Sequence, residues 1–133
     1  SQSYDDGGLF GVYAGTGEDE AAELIPLIAQ EMRAVCDSVR PDEMQRARAQ
    51  LKASTLMALE STSSRAEQAA RQLQIFGRII PVAETIDLIE AVDIAAVERV
   101  AARILTSPLT VAAIGPTKGI DSYDEIAARF SIV

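Results

Sequence analysis

The stretch PDEMQRARAQLKASTLMALESTSSRAEQAARQLQIFG, residues 41–77, decides how the chain reads. Pro41 followed by Asp42 and Glu43 is a helix start. Proline costs little in the first turn, where its missing N–H has no partner, and the two carboxylates meet the positive end of the helix dipole. Met44, Ala47, Leu51, Thr55, Ala58 and Leu59 then recur at helical spacing until Ser61-Thr62-Ser63-Ser64 interrupts them. Ser64 with Glu67 three residues on forms a capping box. Ala66, Ala69, Ala70, Leu73 and Phe76 line one face of a following helix that stops near Gly77.

Reading outward toward the N-terminus, Ala21, Leu24, Ile25, Ile28, Met32, Val35 and Cys36 form an amphipathic stripe across residues 18–38, with Glu18, Asp19 and Glu20 at its start. Pro26 is discordant, because an interior proline removes a ladder bond; it predicts a kink or a later start. Before it, Leu9-Phe10-Gly11-Val12-Tyr13-Ala14-Gly15 is a short apolar run between glycine pairs and reads as a strand buried on both faces. Toward the C-terminus, Pro81 opens a helix carrying Ile86, Ile89 and Val92. Asp93 caps another, with the stripe Ile94, Val97, Ala101, Ile104 and Leu105. The period changes at Leu109-Thr110-Val111-Ala112-Ala113-Ile114, a second strand closed by Gly115-Pro116. Ser122 with Glu125 caps a last short helix containing Ile126 and Phe130.

The order strand, five helices, strand, helix predicts one α+β domain over residues 1–133, helix-rich, with its helices packed on a small incomplete antiparallel sheet. Two strands are too few to close their own edges. A truncated domain, or a dimer associating through the open sheet edge, is therefore expected. The chain begins Ser1-Gln2-Ser3-Tyr4-Asp5-Asp6 without an initiator Met, which suits a processed protein or an excised piece of a longer one.

With 133 residues, 48% hydrophobic and 24% charged, the composition is that of an ordinary globular domain and excludes disordered or collagen-like chains. A formal charge of −8 repels phosphate backbones and anionic lipid, so neither nucleic acid nor membrane is expected as a partner. Histidine is absent, and Cys36 is the single cysteine. Catalytic zinc sites and serine or cysteine nucleophiles nearly all draw on imidazole, so the sequence offers no catalytic residue and no metal ligand.

Four constellations invite a chemical reading. Gly15-Thr16-Gly17 sits where a phosphate loop would. It lacks the third glycine and the Lys-Ser/Thr pair, and it is followed by three acids that would repel phosphate, so it reads as a tight connection. The acid pairs Asp5-Asp6, Asp19-Glu20 and Asp42-Glu43 lie at turns or helix starts, where they support the dipole; Asp5-Asp6-Gly7-Gly8 reads as a turn. Cys36 occupies an apolar helical position and reads as a packed small hydrophobe. Arg46, Arg48, Lys52, Arg65, Arg71 and Arg78 concentrate positive charge in an acidic chain. They make either a groove for acidic or C-terminal carboxylate groups, or a solvated face with pairs such as Glu67 and Arg71; Arg78 at a helix exit either lines a cavity or anchors its loop.

Several blocks together resemble a known family. Gly8-Leu9-Phe10-Gly11-Val12-Tyr13-Ala14-Gly15, Arg46-Ala47-Arg48-Ala49-Gln50-Leu51-Lys52-Ala53-Ser54, Leu59-Glu60-Ser61-Thr62-Ser63-Ser64-Arg65-Ala66-Glu67, Gly77-Arg78-Ile79-Ile80-Pro81, Ile89-Glu90-Ala91-Val92 and Ile114-Gly115-Pro116 follow in the order and spacing of the second half of an inverzincin zinc peptidase of the pitrilysin and mitochondrial-processing-peptidase-like type. The resemblance runs from about Tyr4 to Pro116. It implies a clam-shell peptidase of two homologous halves, with zinc held in the first half by an H-x-x-E-H helix and a downstream Glu. No position here matches those ligands, nor the Arg and Tyr that bind substrate on the segment preceding the first strand. The chain is thus expected to be the C-terminal, non-catalytic portion of a zinc-dependent peptidase. It would form chamber wall and domain interface, be inactive by itself, and need zinc only in the parent. Its substrate-binding residues stay unassigned. Its expected partners are the N-terminal catalytic half or a homologous subunit, and the parent's peptide substrate. A non-catalytic partner subunit, or an acidic interaction module without peptidase activity, is the alternative. The resemblance leans toward a bacterial cytoplasmic origin.

Overall fold

A computed structural model describes residues 1–4 and 6–131. Six helices account for most of the described chain: α1 Ala21–Ala34, α2 Pro41–Ala58, α3 Thr62–Phe76, α4 Val82–Ala91, α5 Ile94–Leu105 and α6 Tyr123–Phe130. The contacts divide into two compact units, one of residues 1–39 and 95–133, the other of residues 40–94.

The α+β expectation, with helices on a small antiparallel sheet, is overturned. The one ladder among the described residues joins β1 Gln2–Ser3 to β2 Gly8–Leu9, antiparallel and two residues a side. Residues 10–15 and 109–114 are irregular, and Tyr13 and Ile114 stand at 98% and 105% exposure. The cause is hydrogen-bonding geometry. A helix satisfies its backbone within the segment, whereas a strand needs a neighbour. Apolar, β-branched composition favours a strand without supplying that neighbour. The open sheet edge expected to drive self-association is consequently not formed by these two runs. Of the turn expected at Asp5 to Gly8, Asp5 lies outside the described residues; beside it Tyr4 N–H donates to Gly7 C=O at 2.8 Å.

In the first unit, Ala29 of α1, Leu105 at the end of α5, and Ile126 and Phe130 of α6 form the buried cluster, with Ile25, Ile28, Met32, Cys36, Leu109 and Ile120 packed around it. Pro26 lies inside α1, so the helix neither starts after it nor stops at it. Ile25, Ile28, Met32 and Cys36 of the apolar stripe read from the sequence pack here, whereas Val35 of that stripe is exposed and Ala29, the buried α1 residue of the cluster, lies outside it. Ser122 and Glu125 form the expected capping box of α6: Ser122 Oγ accepts from Glu125 N–H, and Glu125 accepts from Ser122 N–H at 2.9 Å. Tyr123 Oη donates to Leu109 C=O at 3.1 Å, tying α6 to the irregular run.

The second unit departs further from the apolar stripes. On α2 the buried or half-buried positions are Glu43, Met44, Arg48, Lys52 and Thr55, followed by Leu59 at the C-cap, while Leu51 is 52% exposed. On α3 they include Gln68, Ala69, Gln72 and Ile75, while Leu73 and Phe76 face solvent. The N-cap of α3 is Ser61, whose hydroxyl accepts from Ser64 N–H at 3.3 Å; the expected cap at Ser64 is one turn late. Gly77 ends the helix with φ of 67°, a left-handed conformation that a side chain would strain.

Candidate functional site

The six cations singled out in the sequence do not gather into one site. Arg46 reaches Asp42 at 3.5 Å on the exposed side of α2. Arg48 and Lys52 turn toward α4: the Arg48 guanidinium donates from Nε and Nη2 to Val92 C=O, and Lys52 Nζ binds the Glu90 carboxylate. Both serve the negative end of α4, where unpaired carbonyls and the dipole favour cations. Arg78 holds Glu84 through two parallel bonds of 2.8 and 2.5 Å, anchoring the loop it leaves rather than opening toward a ligand. These hydrogen bonds hold the Glu84 and Glu90 carboxyls below the ordinary carboxylate range. Arg71 is also engaged.

Arg65 is different. It lines a groove of about 490 Å³ between the C-terminal half of α2, α3 and the connection into α4, and its guanidinium has no hydrogen-bond or ion-pair partner among the described residues. One wall is the face of α3 carrying Arg65, Gln68 and Gln72, with Ala66 and Ala69 beside them; Leu59, Ile80 and Val82 make the apolar side. Gln72 Oε1 accepts from Ile80 N–H at 2.9 Å, fixing the loop and leaving the amide NH₂ available. Among the described residues no carboxylate lines the groove. The sequence reading named Arg65 as one of six cations and passed over the two glutamines. Their positions three and seven residues beyond it, on one helical face, were the available signal.

No three His, Cys, Asp or Glu side chains come together as a metal site among the described residues, so the donor set does not fit zinc. Asp42 and Glu43 belong to the first turn of α2, where Arg40 holds Asp42 below the ordinary carboxylate range. Cys36 packs against the buried cluster, its Sγ 3.7 Å from Met32 C=O; burial, with Asp37 next, raises its thiol above the ordinary value. Thr16, in the glycine-bounded connection, donates to Glu20 at 3.4 Å. No helix among the described residues is long and apolar enough to cross a membrane.

Comparison with known proteins places the chain. Residues 1–51 match the peptidase M16 inactive domain. The chain is 35% identical over 124 residues, 92% of its length, to a probable mitochondrial-processing peptidase subunit alpha-2 of Arabidopsis thaliana, covering 25% of that protein. To a probable mitochondrial-processing peptidase subunit beta of the same plant it is 39% identical over 96% of its length, covering 24%. An uncharacterized zinc protease of Rickettsia bellii is 31% identical over 85% of the chain, which covers 27% of it. The chain thus spans about a quarter of the length of the curated relatives it matches. These similarities to peptidase subunits and a zinc protease take in almost the whole chain, and its first 51 residues match the domain described as inactive in peptidase M16 proteins.

Proposed function

We propose that this chain serves a zinc-dependent peptidase as non-catalytic chamber wall and domain interface, the zinc and the water-activating base lying elsewhere in the parent protein, and that its own residues supply no catalytic group and no metal ligand. The observation that carries the reading is the distribution of large apolar side chains. Phe10, Val12, Tyr13 and Ile114 in one unit, and Leu51, Leu56, Met57, Leu73, Phe76 and Ile79 in the other, are each at least half exposed. Large apolar side chains left at a surface in such numbers mark faces that other protein covers. Several relatives carry names of peptidase subunits, and others are named zinc proteases, which supports a peptidase parent.

The catalytic half of the parent would cover these faces, and a homologous subunit is the second candidate, favoured by the subunit names of the relatives. Within this reading the 133 residues act as a single domain, and calorimetry should then show one unfolding transition. The functional test is to produce the remainder of the parent separately and assay cleavage of a quenched fluorescent peptide. The remainder alone should hold its zinc and cleave poorly, and addition of this chain should restore cleavage without changing zinc content. Full activity without this chain, or zinc bound only when it is present, would overturn the proposal.

A further inference from the structure

We propose that the α2–α3–α4 groove is a binding site for the C-terminal end of a peptide with aliphatic terminal residues, Arg65 taking the free carboxylate and Gln68 and Gln72 the amide groups behind it. The inference goes beyond the peptidase reading and does not depend on it.

The argument begins with spacing. Arg65, Gln68 and Gln72 stand at i, i+3 and i+7 of α3, so their side chains emerge along one edge of the groove. At 1.5 Å rise per residue the row is about 10 Å long, which matches about three residues of extended peptide. A primary amide carries both a donor and an acceptor, as does a peptide bond, so glutamines along a groove suit a backbone. Gln72 has already given its oxygen to Ile80 N–H and presents NH₂; Gln68 has no partner among the described residues. Ala66 and Ala69 keep the wall low, and Leu59, Ile80 and Val82 face it with apolar surface for short aliphatic side chains.

Charge decides the orientation and the kind of peptide. In a chain of formal charge −8 the groove is lined, among the described residues, by no acid and by one cation, placed at the end of the row nearest the start of α3. A single charged donor at the end of two neutral ones complements a neutral backbone that ends in one negative charge. The positive end of the α3 dipole lies on the same side and adds to the attraction. An acidic peptide would place further carboxylates along a row that offers only neutral amides. A second arginine pocket, between Pro26, Gln30, Arg33 and Arg129, is less suited to an anion, because Arg129 is paired with Asp121 at 2.7 Å and Arg33 donates to Arg129 C=O at 3.5 Å.

The test is fluorescence polarisation of N-terminally labelled Ala-Val-Leu, with a free carboxylate, against the 133-residue chain. The peptide should bind saturably. Amidation of its C-terminus and Arg65→Gln should each weaken binding about tenfold or more, the scale of one lost charge-assisted hydrogen bond. Arg65→Lys should keep part of the affinity, Gln68→Ala should lose several-fold, and Arg46→Gln, outside the groove, should leave it unchanged. Arg65 is exposed and its guanidinium has no hydrogen-bond or ion-pair partner among the described residues, so the variant should keep the parent's far-UV circular dichroism. Equal binding of the amidated peptide, equal or tighter binding of an amidated peptide with an internal Asp, an unaffected Arg65→Gln, or no saturation up to about 1 mM, where binding free energy is only about −4 kcal/mol, would each overturn the proposal.

Discussion

Replacing Ile126 with alanine should remove a large part of the stability of the first unit. Ile126 lies on α6 at 3% exposure and meets Ala29, Leu105 and Phe130 in the buried cluster. The substitution deletes three carbons, at about 0.8 kcal/mol each, or roughly 2.4 kcal/mol of transfer free energy. A residual cavity adds to that, at about 24 cal/mol per Å³ of space the neighbours do not refill. Ile25 and Ile28 are only partly buried beside the cluster and can shift toward the gap, so a total of about 3 kcal/mol is expected. Urea unfolding followed by circular dichroism reads the effect, and with a slope of about 1.5 kcal/mol/M the midpoint should fall by about 2 M. Leu27→Ala on α1, at 54% exposure, is the control and should cost less than about 0.5 kcal/mol. Equal effects of the two substitutions, or a loss below about 1 kcal/mol for Ile126→Ala, would refute the reasoning that this small cluster is a packed core.

Ser61→Ala should destabilise α3 by about 1 kcal/mol through loss of its N-cap, and Ser64→Ala by clearly less, read as thermal midpoints. Acid should weaken the fold. Asp42, Glu84, Glu90 and Glu125 are all held below their ordinary values by hydrogen bonds, so the unfolded chain binds more protons there. The stabilisation they provide is complete above the ordinary carboxylate range and is lost as pH falls through their lowered values. The urea midpoint should therefore drop between about pH 5 and pH 3, and Glu84→Gln should flatten that slope. Cys36, with its thiol raised by burial, should react with a disulfide reagent more slowly than a free thiol at pH 8, and unfolding in urea should abolish the difference.

The helices were legible because their signals are local. Pro41-Asp42-Glu43, the Ser122 and Glu125 box and the 3.6-residue stripe of α1 each describe a segment that satisfies its own backbone. The two strands were misread for the opposite reason. Residues 9–15 and 109–114 carry strand composition, but pairing is a property of two segments, and only Gly8–Leu9 finds a partner, in Gln2–Ser3. On α2 and α3 the apolar spacing points the largest apolar residues inward, whereas Arg48 and Lys52 turn inward to cap α4 and Gln72 turns inward to hold Ile80. Stripes defined by hydrophobicity miss polar side chains that face inward to satisfy a backbone group. The same blind spot hid the groove. Arg65 is visible as a cation, but its distinction is that the other five cations singled out with it all have partners while its guanidinium has none among the described residues, a fact of partners rather than of composition.

The most direct test of the non-catalytic assignment is metal content, measured by inductively coupled plasma mass spectrometry on this chain and on its full parent protein, with cleavage of a quenched fluorescent peptide measured on the same samples. The account predicts that the parent holds one zinc and cleaves, while the 133-residue chain holds none and cleaves nothing. Stoichiometric zinc on the chain alone, or peptide cleavage by it that a chelator abolishes, would contradict the account.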